Sequence, residues 1–473
     1  MKFLFVSLVS VILAFAAIHA APAGSVPSTQ APNILFILAD QWRAQAFGFA
    51  GDPNVKTPNI DRLEKQSVNF TQAVAGMPVC SPTRATLLTG QRPQTHGIFI
   101  NDASLNPEAI TLAKVFKAGG YDTGCIGKWH IDGHGRSSFI PRERRQGFDY
   151  WKVLECTHDY NKSNYYADGP DKLTWEGYDA IAQTRDAQEY LKSHAKTEKP
   201  FLLWLAWGPP HDPYETAPAK YRAMYPPDKI VFRDNVPEAN RAAARKDLAG
   251  YYAHCAALDD CISDLLETIK ETGLDRNTII VFTSDHGDMI ESHGQQRKQR
   301  PWEESARVPM LFRFPETLGI QPRRVEGAIN SEDMMPTLLG LCGISIPKSV
   351  EGFDFAGYLR GGEDPSGGAT IIRCMSPFGQ YTRARGGREY REVRSPRYTY
   401  VRDLAGPWLL YDNEKDPHQL NNLVGKPEYA KLQAEQDALL KCKLASQNDE
   451  FLPGADYIAK WGYKVDKSGT IRY

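Results

Sequence analysis

Four apolar runs, each ending abruptly in polar side chains, restrict the fold of this chain more than any other feature. Two are Asn33-Ile34-Leu35-Phe36-Ile37-Leu38-Ala39-Asp40-Gln41 and Tyr121-Asp122-Thr123-Gly124-Cys125-Ile126-Gly127-Lys128-Trp129-His130. The third, 199–207, runs into Gly208-Pro209-Pro210-His211, and the fourth, 277–284, into Asp285-His286-Gly287-Asp288. Runs this apolar read as strands covered on both faces, the mark of parallel sheet between helices. In open α/β sheets ligands gather beyond the carboxyl ends of the strands. Here those ends carry Asp40, Gln41, Lys128, His130, His211, Asp285 and His286. Helical patterns at 109–118 and 242–272 supply candidate covering layers.

Between the first two runs lies Cys80-Ser81-Pro82-Thr83-Arg84-Ala85-Thr86-Leu87-Leu88-Thr89-Gly90. Pro82 suits a first helical turn, where its missing N–H costs nothing, and Gly90 suits the helix end. Cys80 then sits at a helix N-terminus, a place that favours an anion. Arg84, one turn on, can reach the same spot. This stretch resembles the signature of the type I sulfatases, C-x-P-x-R followed by A-x-L-x-T-G. Further family-like stretches follow in order: Gly127-Lys128-Trp129-His130, the proline-rich turn before His211, and Asp285 at a strand end. A lysine loop with Glu303-Glu304-Ser305-Ala306-Arg307-Val308-Pro309 comes next, then Leu410-Tyr411-Asp412 with Asp416-Pro417 and Asn422-Leu423. The resemblance spans 32–423 in ordered islands.

The resemblance implies the fold of the alkaline phosphatase superfamily. That is an α/β fold with a large mixed, mostly parallel central sheet sandwiched by helices, and a small C-terminal antiparallel-sheet subdomain. The implied catalytic domain covers 32–345 and the subdomain 346–473. It also implies that a separate formylglycine-generating or sulfatase-maturing enzyme oxidises Cys80 to formylglycine, an aldehyde whose hydrate is the nucleophile. Arg84, Lys128 and Lys298 would neutralise the sulfate, and His211 or Lys298 would protonate the leaving alcohol. His130 would take the proton of the second hydroxyl, a step that suits a neutral imidazole. Asp40, Gln41, Asp285 and His286 fall at the family's positions for a divalent cation, with calcium the choice and magnesium or manganese left open. Gln41 and His286 depart from the usual Asp and Asn. A glutamine carbonyl can still serve a hard cation, whereas imidazole is a poorer calcium ligand than oxygen.

The implied activity is release of inorganic sulfate from a sulfated carbohydrate, oligosaccharide or polysaccharide. Its rivals are a phosphonate monoester or phosphodiester hydrolase on the same scaffold, and an inactive carbohydrate-binding homologue. The carbohydrate choice rests on export and on 131–178, an aromatic, turn-rich region without a clear period that includes Thr157-His158-Asp159-Tyr160-Asn161. It reads as a long decorated loop carrying specificity.

Export is read from the start of the chain. Met1-Lys2, an apolar run over 3–17 and a cleavage point after Ala20 make a signal peptide; 21–31 reads as a disordered leader. The product would be periplasmic or secreted, with no membrane association after cleavage. A formal net charge of −1 offers no field that would gather nucleic acid. Eight cysteines in an exported chain predict disulfides, with at least one thiol unpaired once Cys80 is modified. Beyond 345, a Gly-rich connector at 361–368 precedes short strands near 369–373 and 397–401 and a helix at 428–443. Asn69 and Asn161 stand in glycosylation sequons. The tail, with Trp461 and Tyr463, has no assigned place.

Overall fold

Every residue of Asn33–Asp40 (β1) is buried, because this strand runs through the middle of a sheet covered on both sides. The computed structural model describes residues 31–471; the expected signal peptide, 1–20, and all but the last residue of the expected leader, 21–31, lie outside them. Nine further strands follow in this part of the chain. They are Val68–Phe70 (β2), Asp122–Lys128 (β3), Tyr150–Leu154 (β4), Asn164–Tyr165 (β5), Leu173–Thr174 (β6), Phe201–Pro210 (β7), Thr278–Ser284 (β8), Met310–Arg313 (β9) and Arg323–Val325 (β10). β5 and β6 form a small ribbon of their own. The others make one eight-stranded sheet in the order β10-β2-β9-β8-β1-β7-β3-β4. Within it β8, β1, β7, β3 and β4 are parallel, and β9 is antiparallel to both neighbours.

Register sets the site. Leu38 of β1 lies beside Ala206 of β7 and Thr283 of β8, and Ala206 lies beside Gly127 of β3. Four adjacent strands therefore end at one level, and the polar residues that follow them share one edge. Side-chain alternation divides the core. Leu35, Ile37 and Ala39 pack with Tyr251, Leu258 and Leu265 of the Arg241–Glu271 helix. Ile34, Phe36 and Leu38 face the other way, toward Leu87, Leu88, Phe116 and Leu338. Each such buried side chain contributes about 1.5–3 kcal/mol.

The helix Cys80–Thr89 is buried along its whole length and ends at Gly90, whose φ of 63° is left-handed and whose N–H donates to the Thr86 carbonyl. The region 131–178 is not a single loop. It contains β4, an edge strand whose faces are unequally covered, so its sequence lacks the uniform apolar character of β1 or β8. A helix at Asp179–His194, without counterpart in the sequence reading, follows it.

In the C-terminal part, Thr370–Cys374 (β11), Tyr390–Arg394 (β12), Tyr398–Asp403 (β13) and Gly406–Asp412 (β14) form a separate antiparallel sheet in sequence order. Ile371, Val393, Tyr400 and Leu410 pack with Leu440 of the Ala430–Ser446 helix. Ile372, Tyr390 and Val401 face Val74 and Ala306 instead. The tail folds back. A helix at Gly454–Trp461 and the following Tyr463 pack on Phe99, with ring centroids of Tyr457 and Tyr463 6.0 and 5.4 Å from it. The Gly379 N–H then holds the Ser468 carbonyl, bringing Thr470 to the mouth of the pocket described below.

The expected disulfides do not form: all eight cysteines are free. Most are buried singly in apolar surroundings, where a thiol serves as a small hydrophobe. Asn69 is buried in β2 and donates to Glu64, which removes it as a glycosylation acceptor in the folded chain; Asn161 is exposed. Among the described residues no helix is long and apolar enough to cross a membrane.

Candidate active site

All ten residues singled out from the sequence come together around Cys80 Sγ. Four arrive on the ends of β1, β3 and β8: Asp40 on β1, Lys128 on β3, and Asp285 and His286 just past β8. Gln41 follows β1, His130 follows β3 and His211 follows β7. Cys80 and Arg84 come from the buried helix and Lys298 from a loop. The sulfur lies 3.2 Å from His286 Nε2, 3.3 Å from Lys298 Nζ and 3.8 Å from Asp40 Oδ1. Lys298 Nζ also donates to His211 Nε2 and to Gln41 Oε1, each at 2.7 Å.

Two kinds of group are segregated here. Arg84 donates to Oδ2 of both acids, at 3.1 Å to Asp40 and 3.0 Å to Asp285. Lys128 Nζ takes Asp40 Oδ2 at 2.6 Å. The two Oδ1 atoms are thereby turned toward His286, whose Nε2 is 3.5 Å from each. His286 Nδ1 donates to the Gly287 carbonyl at 2.8 Å, so Nε2 presents its lone pair. Asp40, Cys80, Asp285 and His286 thus offer ligand atoms that all lie within 4.8 Å of one another. The Gln41 N–H meets Asp285 Oδ1 at 3.0 Å and Lys298 meets the sulfur, but buried acceptors this close together still fit a cation. Gln41 is placed beside this cluster, with its Oε1 on Lys298 and its Nε2 on Asp288 at 2.6 Å.

The electrostatics follow from that geometry. Burial and Cys80 push Asp40 up, but Lys128, His211 and Arg84 outweigh them and hold it well below the ordinary range. Burial, and then ionised Asp40 beside it, pushes Asp285 up. Burial and Lys298 lower His286; Asp285 and Cys80 outweigh them and the net direction is up, the same acidic surroundings that attract a cation. For Cys80, burial is overcome by Lys298, Lys128 and His286, which favour the thiolate. For Cys125, Cys255 and Cys374 burial outweighs the arginines that oppose it, and the thiols are pushed up.

Burial and Lys128 lower His130, but Cys156, Asp102 and the Cys80 sulfur outweigh them and bring it up to about 10. Asp102 is a residue that sequence reasoning missed. It accepts from His130 Nε2 at 3.1 Å and is clasped by Arg136 at 3.0 and 2.7 Å. Nothing in the residues around it marks it. Asp288 was also missed, although its place just past β8 could have signalled it. Fully buried, it accepts from Gln41 Nε2 and from the Arg297 and Ile290 N–H groups, and so fixes which end of the Gln41 amide faces Lys298.

Backbone strain concentrates at the same place. Gln41, Asp102, His130, Arg297 and Gln299 all have φ between 65 and 70°. Non-glycine residues in that region are held there by their surroundings. Arg297 and Gln299 flank Lys298 and aim it inward. The resulting pocket is about 160 Å³, floored by Cys80, Lys128, His130, His211 and Lys298 and rimmed by Arg136, His158, Gln380 and Thr470. A larger cavity, about 540 Å³, opens between Phe49, Phe232 and Arg324, and none of the ten residues lines it.

Comparison with known proteins agrees with this geometry. The Sulfatase family model matches residues 32–344, and that of the N-sulphoglucosamine sulphohydrolase C-terminal region matches 291–447. The chain is 46% identical to an ulvan-active sulfatase of Formosa agariphila, over 92% of this chain and 86% of that one. It is 30% identical to an endo-4-O-sulfatase of Bacteroides thetaiotaomicron, over 89% and 94%. The crystal structure of yidJ from Bacteroides fragilis superposes with a TM-score of 0.80 at 30% identity, over 91% of this chain and 98% of that one.

Proposed function

This chain belongs to the sulfatase family and is a sulfuric ester hydrolase, and from that premise we propose that it releases inorganic sulfate from a sulfated oligosaccharide or polysaccharide, with Cys80 as the source of its nucleophile. The observation that carries this reading is the meeting of Arg84, Lys128, His211 and Lys298 over a cysteine beside a cluster of acceptors. A sulfate monoester brings an anion to be neutralised and an alcohol to be protonated, and the pocket holds groups for both.

Oxidised to formylglycine by a maturing enzyme, Cys80 would supply an aldehyde hydrate, with one hydroxyl to attack sulfur and a second to allow its later release. A divalent cation, calcium by family resemblance, would be held by Asp40, Asp285 and His286, with Gln41 adjacent, and would add positive charge against the sulfate oxygens. The protein's own groups divide the rest. Arg84, at the second turn of the Cys80–Thr89 helix, and Lys128 steady charge on the sulfate side. Lys298, hydrogen-bonded to His211, is placed to hand a proton to the departing alcohol oxygen as its bond to sulfur breaks. His130 is placed to take the proton whose loss frees sulfate. Conversion of Cys80 removes the sulfur anion that helps keep His130 protonated, leaving Asp102 to orient the ring. The net reaction consumes one water and yields alcohol, sulfate and a proton.

Among relatives, the ulvan-active sulfatase and the endo-4-O-sulfatase both support a carbohydrate ester. Export through the segment 1–20 belongs to the same proposal. The test is sulfate release from defined sulfated saccharides, ulvan oligosaccharides first, beside an aryl phosphodiester, with mass analysis of the Cys80 peptide. Sulfate release together with an aldehyde at residue 80 is expected. Faster turnover of the phosphodiester, or an unmodified thiol in fully active protein, defeats the reading.

A further inference from the structure

The loop after β4 brings one side chain to the pocket that the chemistry above leaves unused. We propose that His158 binds a hydroxyl of the sugar ring that carries the scissile sulfate, and so selects a saccharide over other sulfate esters. This rests on the carbohydrate reading of the preceding subsection.

Position is the first argument. His158 lines the same pocket as Cys80, His211 and Lys298. Its ring stacks on that of His211, with centroids 5.0 Å apart and planes 26° from parallel. His211 Nε2 in turn is 2.7 Å from Lys298 Nζ, the group placed to protonate the leaving oxygen. That oxygen sits on a ring carbon, so the substituents of the adjacent carbons are the first parts of the substrate to meet the neighbouring ring, which is His158. The anionic sulfate is drawn to the cationic floor, which turns the sugar toward the rim.

Chemistry is the second argument. Among the described residues His158 makes no hydrogen bond, so both ring nitrogens remain to be used. Burial, then His211, Lys128 and Lys298 with Asp212 opposing, lowers its pKa to about 3. It is therefore a neutral imidazole at working pH, with one donor and one acceptor, which matches a hydroxyl in both senses. Gln380 and Thr470 at the rim are also polar and uncharged, while Arg136 adds a charge there. A floor of cations under a rim that offers neutral donor–acceptor groups suits an ester that is ionic at one end and hydroxylated at the other. A site built to bond a hydroxyl penalises ligands that lack it.

The experiment compares the full chain with His158→Ala, His158→Phe and His158→Gln. The Phe variant keeps an aromatic ring against His211, and the Gln variant keeps a donor and an acceptor. Two quantities are read: kcat/KM on the ulvan oligosaccharide that the wild type turns over fastest, and the inhibition constant of inorganic sulfate, which occupies the floor but has no sugar. Ala and Phe are expected to lose about tenfold or more in kcat/KM with sulfate inhibition unchanged, and Gln to recover most of the loss. Parallel weakening of sulfate inhibition would show that His158 merely props His211 and would overturn the inference. So would undiminished saccharide turnover in the Ala variant. A wild type that hydrolyses 4-nitrophenyl sulfate but no sulfated saccharide would instead refute the carbohydrate reading, and the inference with it.

Discussion

Two fully buried clusters of charge can be set side by side in this molecule. One is the pocket of Asp40, Asp285, Arg84 and Lys128. The other lies under the antiparallel sheet, where Arg391 meets Asp449. There the guanidinium and carboxylate face each other fork to fork, at 2.7 and 2.8 Å. Arg391 spends its remaining N–H groups on Tyr457 Oη and on backbone carbonyls, and the Phe451 N–H completes Asp449. Arg391 and Asp449 thus answer each other, and Arg373 Nε, 3.6 Å from Asp449 Oδ2, adds a second cation to the same carboxylate. In the pocket, by contrast, Arg84 and Lys128 answer the Oδ2 atoms, the Gln41 N–H meets Asp285 Oδ1 and Lys298 meets the sulfur, yet the Oδ1 atoms, an imidazole nitrogen and that sulfur still crowd toward one another. Burial is equal; the difference is whether the partners satisfy each other. A closed pair holds shape, and an open set of acceptors holds something that is not part of the chain.

The contrast can be broken from either side. The largest effect is expected from Cys80→Ser. A serine has no second hydroxyl to drive release, so steady-state sulfate release should fall by more than roughly a thousandfold while the melting temperature stays in place. Full multiple turnover in that variant would remove Cys80 from its role. Next comes Asp449→Ala, which strands the buried guanidinium of Arg391 and removes the acid beside Arg373. It should cost about 3–5 kcal/mol in urea unfolding, with kcat of the folded fraction preserved. An unchanged unfolding midpoint would mean that the closed pair is not structural.

The same carboxylate gives a pH signature. Burial raises Asp449, but Arg391 outweighs it and brings it down to about 2, against an ordinary value of 3.8. A group depressed in the folded state contributes its stability above the unfolded value and loses it as pH falls through the folded one. About 2 kcal/mol should therefore disappear between roughly pH 4 and pH 2, a slope that Asp449→Ala should lack. The smallest effect belongs to Asp102→Asn, where a kcat loss of roughly tenfold is expected. Removing the carboxylate also removes one of the groups that raise His130, so the limb of the pH–rate profile that reports this imidazole should move to lower pH. A stability loss with an unmoved profile would make Asp102 a mere scaffold.

How much of this was readable in the residues follows from the same distinction. β1, β3, β7 and β8 announce themselves because strands covered on both faces must be apolar throughout, and what breaks the run is what the site uses. β4 was not legible: as an edge strand it carries Tyr150 and Lys152, half-buried, among its buried neighbours. Asp102 and His158 come from loops whose conformation is imposed by distant contacts, and a left-handed φ at Asp102, His130 or Gln299 has no signature in a non-glycine residue. The cysteine count misled, because a thiol used as core filler and a thiol awaiting a bridge look alike in a list of residues. The expectation of export came from the apolar start of the chain, and those of formylglycine and of calcium came from family resemblance alone.

Cys80 is only 1% exposed and sits at the bottom of a pocket of about 160 Å³. No second enzyme could lay its own catalytic groups against the sulfur there. If another protein oxidises this side chain, the two must meet while the polypeptide is still open, before the strands on either side have closed. Activity would then be decided during biosynthesis, in a race between folding and editing, and molecules that win the race too early would be well folded, long-lived and permanently silent.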